Sequence, residues 1–128
     1  MELFRGTPYD YVAVVPDGSL AFSAGACPLD GDGRVVAVGD HEAQARQALA
    51  NLQAALAEVG SGFDQVLKSP VYVVAADRAE LVRTWSVVEE AFAPHRPPST
   101  LLGVALLGYP DQLVEIEAVA IVPRTRDS

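Results

Sequence analysis

Two glutamates that could act as acid and base stand two residues apart in an apolar segment. Glu115 and Glu117 lie within residues 113–122, whose other members are all apolar. In an extended strand, side chains two residues apart project from the same face, roughly 7 Å from one another. In a partly desolvated cleft such a carboxylate can orient water or relay a proton. The alternative is a solvated position at the rim of a sheet, and the spacing does not choose between the two.

The other side chains with ligating or nucleophilic chemistry lack the neighbours that this chemistry needs. His41 and His95 have no second ligand at a metal-binding spacing, so we expect surface histidines and no metal site. Cys27 has no basic neighbour that would favour its thiolate, which predicts a buried or unreactive thiol. Residues 31–33 (Gly-Asp-Gly) are too short and too acidic to hold phosphate, and we interpret them as a turn.

Length and charge exclude several classes of protein. The 128 residues are the size of one domain, residues 1–128, and half of them are apolar. The 17 acidic residues against 9 basic ones give a net charge of −8, and the basic residues are scattered, which argues against binding to nucleic acid or to an anionic membrane. No apolar run reaches the roughly 18 residues of a membrane span. The lone cysteine and a start without signal-peptide features make a cytoplasmic location the expectation.

The first half of the chain predicts a hairpin, a loop and a helix. Strand-like runs at 10–15 and 19–24 flank a Pro-Asp-Gly turn. A loop rich in Gly and Asp follows over 27–39. Asp40 is the predicted cap of a helix that runs to about Val59, with Gly60 as its stop.

The second half predicts strands around a second helix. Residues 66–75 form a strand in which Pro70 must face an edge, a bulge or an unpaired gap. Asp77 opens a helix that Pro94 ends. Residues 100–107 and 113–122 are predicted as a second hairpin, joined across 108–111. The order β-β-α-β-α-β-β indicates an α+β two-layer sandwich, with one mixed β-sheet and two helices on one face.

The last strands leave one face of this sheet to be covered. Along 113–122, Val114 and Ile116 alternate with Glu115 and Glu117, and neither set is plainly polar. Two helices cover only one face, so a second subunit is expected on the other. The sequence therefore predicts a homo-oligomer.

Blocks that recur in order along nearly the whole chain resemble the RidA/YjgF family, the reactive intermediate deaminases. The blocks are 6–9 (GTPY), 20–30 (LAFSAGACPLD), 44–52 (QARQALANL), 66–73 (VLKSPVYV) and 113–118 (LVEIEA). The resemblance implies a chorismate-mutase-like homotrimer with small-molecule clefts between subunits. It also implies hydrolysis of enamines and imines, such as 2-iminopropanoate, to a keto acid and ammonia without a cofactor.

The resemblance further implies roles for individual residues. It makes Glu117 the catalytic group that places the attacking water, and Tyr9 the aromatic side chain of the cleft. The family's substrate-clamping arginine is replaced by Ser99, and its Ser-Gly-Gln element by Ala24-Gly25-Ala26. A guanidinium holds a carboxylate through two parallel hydrogen bonds, so its loss predicts an altered specificity.

Substrate binding would then fall to other groups. We expect the polar end of the ligand at Ser99, Thr100 and the backbone around Ala24 and Gly25. Trp85 either lines this cleft or packs in the core, and Arg96 is not expected to reach back far enough to replace the arginine. Two alternatives to a divergent deaminase stay open: a trimeric small-molecule-binding module without chemistry, and an endoribonuclease-type translation inhibitor, which the net charge disfavours.

Overall fold

A computed structural model describes residues 1–7, 11–14 and 20–124. Within these ranges the chain forms two α-helices and six strands, with a short 3₁₀ turn before the third strand. The elements are β1 (Val12–Val14), β2 (Leu20–Ser23), α1 (His41–Ala57), the 3₁₀ turn (Phe63–Gln65), β3 (Val66–Val74), α2 (Arg78–Phe92), β4 (Ser99–Val104), β5 (Val114–Ile116) and β6 (Val119–Ile121).

These strands form one mixed sheet around β3. The order is β1-β2-β6-β3-β4, and β5 pairs with β3 beyond the end of β6. Strand β3 is parallel to β4 and antiparallel to both β5 and β6. The two helices pack on one face and enclose a core that includes Leu52, Leu56, Val73, Val88 and Ile116. The predicted α+β sandwich is confirmed.

One predicted hairpin is confirmed and the other is wrong. Strands β1 and β2 pair antiparallel, although the predicted turn at 16–18 lies outside the described residues. Strands β4 and β5 do not form a hairpin, because β3 lies between them. The connection is tied to α1 instead: the Gln44 amide donates to the Asp111 carbonyl (3.0 Å) and accepts from the Leu113 N–H (2.8 Å).

The predicted strand over 113–122 is interrupted at Glu117 and Ala118. There the Glu117 N–H donates to the Pro70 carbonyl (3.1 Å), and the Ser69 hydroxyl donates to the Glu117 carbonyl (2.9 Å). Pro70 therefore lies opposite the break between β5 and β6. Because proline has no N–H to donate, the sequence predicts an unpaired gap at this position, and the break is that gap.

The helices begin where their caps predict. Asp40 accepts a hydrogen bond from the Ala43 N–H (3.0 Å), and Asp77 accepts one from the Glu80 N–H (3.0 Å). The Glu80 carboxylate reaches back to the Ala76 N–H (2.6 Å), one residue earlier than in the usual capping box. Helix α1 ends at Ala57, slightly before the predicted Val59.

The expectation of two surface histidines is wrong. His41 Nε2 lies 2.7 Å from the Val74 carbonyl oxygen, and His95 Nε2 lies 2.6 Å from that of Val66. A carbonyl oxygen can only accept, so both Nε2 atoms carry hydrogen. Both rings are partly buried and hold opposite ends of β3, a role that their spacing in the sequence does not reveal.

Candidate active site on the open face of the sheet

The alternation along β5 and β6 places the two glutamates on the face away from the helices. Val114, Ile116 and Ala118 are buried on the helix side, while Glu115 and Glu117 are half-buried on the other. The pair predicted from the sequence therefore shares one face.

Backbone on both sides holds Glu117 at the strand break. On one side is Pro70, which accepts its N–H. On the other, the segment after β2 runs antiparallel to residues 116–118: Ala26 pairs with Ile116, and the Ser23 hydroxyl accepts from the Ala118 N–H (2.8 Å). The backbone that carries this carboxylate is therefore fixed in place. A catalytic group needs such support, because it must be held in a defined position relative to the reacting atom.

The surroundings of Glu117 favour its protonated form. Burial raises the pKa of the Glu117 carboxyl, the charge of Glu115 raises it further, and a hydrogen bond with Tyr72 partly opposes both. Burial and the two carboxylates also raise the pKa of Tyr72, so its phenol remains a donor at neutral pH. A carboxyl whose pKa is raised holds a proton to higher pH than an ordinary one, and its conjugate base is a stronger proton acceptor, which suits a group that must both give and take a proton.

Glu115 is held by buried groups. Its Oε1 accepts from the Gln112 amide (3.2 Å) and from the Cys27 thiol (3.3 Å), and both of these residues are buried. A Cβ on Gly25 would overlap the Glu115 side chain, so a larger residue there would force this carboxylate to move. The buried thiol agrees with the expectation for Cys27.

Sequence reasoning missed two members of this cluster. Tyr72 pairs with Glu115 across β3 and β5, and the period-two pattern of 66–75 could have placed it on the same face once the pairing was known. Gln112 gave no signal, because a polar residue in a turn is typical of a solvated position. Its amide oxygen accepts from the Tyr109 N–H (3.1 Å).

The predicted binding residues fall in different places. Thr100 pairs with Pro70, on the Glu117 side of the sheet, and is exposed. Gly25 lies against Glu115, but the N–H of Ala24 already donates to the Tyr11 carbonyl (2.6 Å). Tyr9 lies outside the described residues.

Ser99 and Trp85 come together away from Glu117. Both line a cavity of about 530 Å³ beside the C-terminal half of α2, and Arg96 lines it too. Ser99 shares the helix side of β4 with Leu101, and its hydroxyl donates to the Pro97 carbonyl (2.9 Å). Trp85 also packs partly against the core, and Glu117 does not line this cavity.

The described residues provide neither a cluster of metal ligands nor a membrane-spanning helix. Within the described residues, no group of three or more His, Cys, Asp or Glu side chains is arranged to hold a metal ion. In the same part of the chain, neither helix has the length and apolar character needed to cross a bilayer.

Comparison with known proteins identifies the relatives of this chain. A family profile described as Endoribonuclease L-PSP matches residues 6–122. The 3-aminoacrylate deaminase RutC of Acinetobacter baylyi is 32% identical over 92% of this chain and 94% of its own. The 2-iminobutanoate/2-iminopropanoate deaminase of Salmonella typhimurium is 32% identical over 87% and 86%.

A solved structure agrees with these sequence matches. A Mycobacterium tuberculosis member of the YjgF/YER057c/UK114 family superposes with a TM-score of 0.76 at 29% identity, over 95% of this chain and 98% of that one. The chain therefore belongs to the RidA/YjgF family, whose profile carries the name Endoribonuclease L-PSP.

Proposed function

We propose that this protein hydrolyses the C=N bond of a reactive imine or enamine, with Glu117 as the catalytic acid and base. The observation that carries the proposal is the half-buried Glu117 carboxyl, with a raised pKa and a hydrogen bond to Tyr72. The names of two relatives, deaminases of 3-aminoacrylate and of 2-iminobutanoate, support the same reaction class.

The reaction needs one group that moves protons in both directions. The protonated Glu117 gives its proton to the β-carbon of an enamine, or to the nitrogen of an imine, and so makes the carbon bonded to nitrogen electrophilic. The resulting carboxylate takes a proton from water as the water oxygen bonds to that carbon, and then gives this proton to nitrogen as the C–N bond breaks. It finally takes the hydroxyl proton as the carbonyl forms, which restores the protonated Glu117. The products are a carbonyl compound and ammonia, and no step needs a metal or a cofactor.

We place the substrate between subunits of a homotrimer. Glu117 lies on the face that the helices leave open, and the apolar side chains of Phe22 and Leu102 on that face are each 47% exposed. Packing this face against other copies would cover these side chains and desolvate Glu117 further. A cytoplasmic location belongs to the same proposal.

The proposed specificity follows from Ser99, which lies away from Glu117 within one chain and would meet the substrate of another copy's Glu117 only across a subunit boundary of the proposed trimer. Its hydroxyl is neutral and donates to the Pro97 carbonyl, so it cannot replace the two-bond contact of a guanidinium with a carboxylate. We therefore expect weak turnover of 2-iminopropanoate and better turnover of imines with larger apolar groups. Thr100 and Gly25 would contact the polar end of the substrate.

The test measures imine decay directly. An amino-acid oxidase generates the 2-imino acids of alanine, leucine and phenylalanine in place, and semicarbazide traps whatever is not hydrolysed. We expect the protein to reduce trapping, most for the phenylalanine product. Glu117→Gln should abolish the effect, whereas Glu90→Gln, an exposed control on α2, should retain it. Equal activity of Glu117→Gln and the wild type would contradict the role of Glu117.

Ser99 also favours a second candidate, a trimer that binds a small molecule without chemistry. In that case no imine would decay faster, yet an aromatic ligand would still bind to the folded protein. Cleavage of RNA is opposed by the net charge of −8. Tight RNA binding that weakens steeply with salt would contradict the exclusion of an RNA-cleaving function.

A further inference from the structure

Tyr72 lies on the open face of the sheet, next to both glutamates. It pairs with Glu115 across β3 and β5, and the N–H of Glu117 donates to the carbonyl of Pro70, two residues before Tyr72. Tyr72 and Glu117 are therefore diagonal neighbours on paired strands, a separation that an aromatic side chain can span. The phenol makes a hydrogen bond with the Glu117 carboxyl. The steps of the proposed hydrolysis assign no task to this phenol.

The single phenol proton goes to Glu117 because Glu115 has other donors. Oε1 of Glu115 accepts from the Gln112 amide (3.2 Å) and from the Cys27 thiol (3.3 Å). A phenol has one O–H to donate, and burial together with the charges of the two glutamates raises the pKa of Tyr72, so this proton is retained at neutral pH. The hydrogen bond lowers the pKa of Glu117, which is the effect of a donor on the charged form.

Few other titratable groups face Glu117 in the described part of the chain. Strands β2, β4 and β6 carry none. On β3, Lys68 pairs with Val119 and is exposed, so solvent screens its charge. In the segment after β2, the Cys27 thiol donates to Glu115. These groups are unchanged when only the phenol oxygen is removed, so a change in the pKa of Glu117 then reports on that oxygen.

We propose that Tyr72 is a positioning residue for the hydrolysis, whose phenol O–H binds one oxygen of the Glu117 carboxyl so that the other oxygen faces the substrate. This inference rests on the function proposed for Glu117. The terminal torsion of a glutamate has a broad energy minimum, so a carboxyl without such a partner samples many orientations. Once Glu117 has given up its proton, the same O–H stabilises the carboxylate, because hydrogen bonds to a charged acceptor are the stronger kind.

Carbon NMR of the Glu117 carboxyl tests the contact in the absence of substrate. The Cδ signal of Glu117 is identified by its loss in Glu117→Gln. Tyr72→Phe removes the donor and should move the midpoint of this titration to higher pH, whereas Glu115→Gln removes a neighbouring charge and should move it to lower pH. Tyr11→Phe is the matched control, because the Tyr11 phenol donates to the Phe4 carbonyl, and it should leave the midpoint unchanged.

Kinetics then separates positioning from folding. The rates are measured across a range of pH with whichever 2-imino acid the wild type hydrolyses fastest. Tyr72→Phe should lower kcat about tenfold, the effect of losing one charge-assisted hydrogen bond, and should change KM by less than about twofold. The alkaline limb of the pH–rate profile should move to higher pH, together with the NMR midpoint. Partial unfolding would instead lower the rates without moving this limb.

Two outcomes would overturn the proposal. The first is a Glu117 titration that Tyr72→Phe leaves unchanged, or that Tyr11→Phe shifts equally. The second is a kcat of Tyr72→Phe within about twofold of the wild type. A wild type that hydrolyses no imine would overturn the function of Glu117 instead, and the titration would still show whether Tyr72 holds its carboxyl. If Tyr72→Phe fails to fold, the Cζ signal of Tyr72 in the wild type provides the same test, because it should titrate with the midpoint of Glu117.

Discussion

At the scale of the residue, Glu117 should destabilise the fold at neutral pH. Burial raises the pKa of its carboxyl above the ordinary 4.5, so the folded chain holds the proton more tightly than the unfolded chain does. The protonated carboxyl therefore costs the fold nothing below about pH 4.5. The destabilisation develops as pH rises through the higher pKa of the folded state, where the buried carboxyl becomes charged. A group retained at such a cost is expected at a catalytic position.

The variant Glu117→Gln tests whether the charge of Glu117 destabilises the fold at neutral pH. At pH 7 it should raise the free energy of unfolding by about 0.5 kcal/mol, the scale of a change at a partly exposed position. At pH 4 most of the gain should be lost, because the wild-type carboxyl is then mostly protonated in both the folded and the unfolded states. Urea denaturation at the two pH values measures the difference, with Glu90→Gln as a control that should show no such gain. A variant less stable than the wild type at pH 7 would contradict the assigned cause.

At the scale of the element, caps decided where the helices begin, and local signals were enough to find them. Asp40 and Asp77 each accept the backbone hydrogen bond that their place before an apolar stripe predicts. The second hairpin failed because pairing between strands is not local. Residues 108–111 have turn composition, but the buried amide of Gln44 holds the segment around Asp111 and Leu113 to α1, and no spacing within the segment shows that.

Much of the candidate site depends on the same non-local pairing. The shared face of Glu115 and Glu117 follows from strand periodicity and was predictable. Tyr72 and Gln112 join them only through tertiary contacts, Tyr72 across β3 and β5, and Gln112 by folding its amide back onto Glu115. Side chains of this kind are found only when the register and the loop path are known.

The cap of α2 provides a prediction at this scale. Asp77→Ala removes the acceptor of the Glu80 N–H and should lower the free energy of unfolding by about 1 kcal/mol. Asp77→Asn keeps a side-chain oxygen at the same place and should restore most of that loss. Thermal and urea unfolding followed by circular dichroism would measure both. If Asp77→Asn were as damaging as Asp77→Ala, the negative charge of Asp77 would be the source of its effect, and not the capping hydrogen bond.

At the scale of the whole molecule, the open face of the sheet should hold three chains together. The exposed side chains of Phe22 and Leu102 lie on it, and covering such a surface outweighs repulsion between chains of net charge −8 when salt screens that repulsion. Analytical ultracentrifugation should give three times the 13.5 kDa of one chain. Leu102→Asp should dissociate this assembly, and Leu106→Asp, a control 84% exposed in the loop after β4, should not. A wild-type chain that sediments as a monomer in high salt would remove both the trimer and the intersubunit site proposed for Glu117.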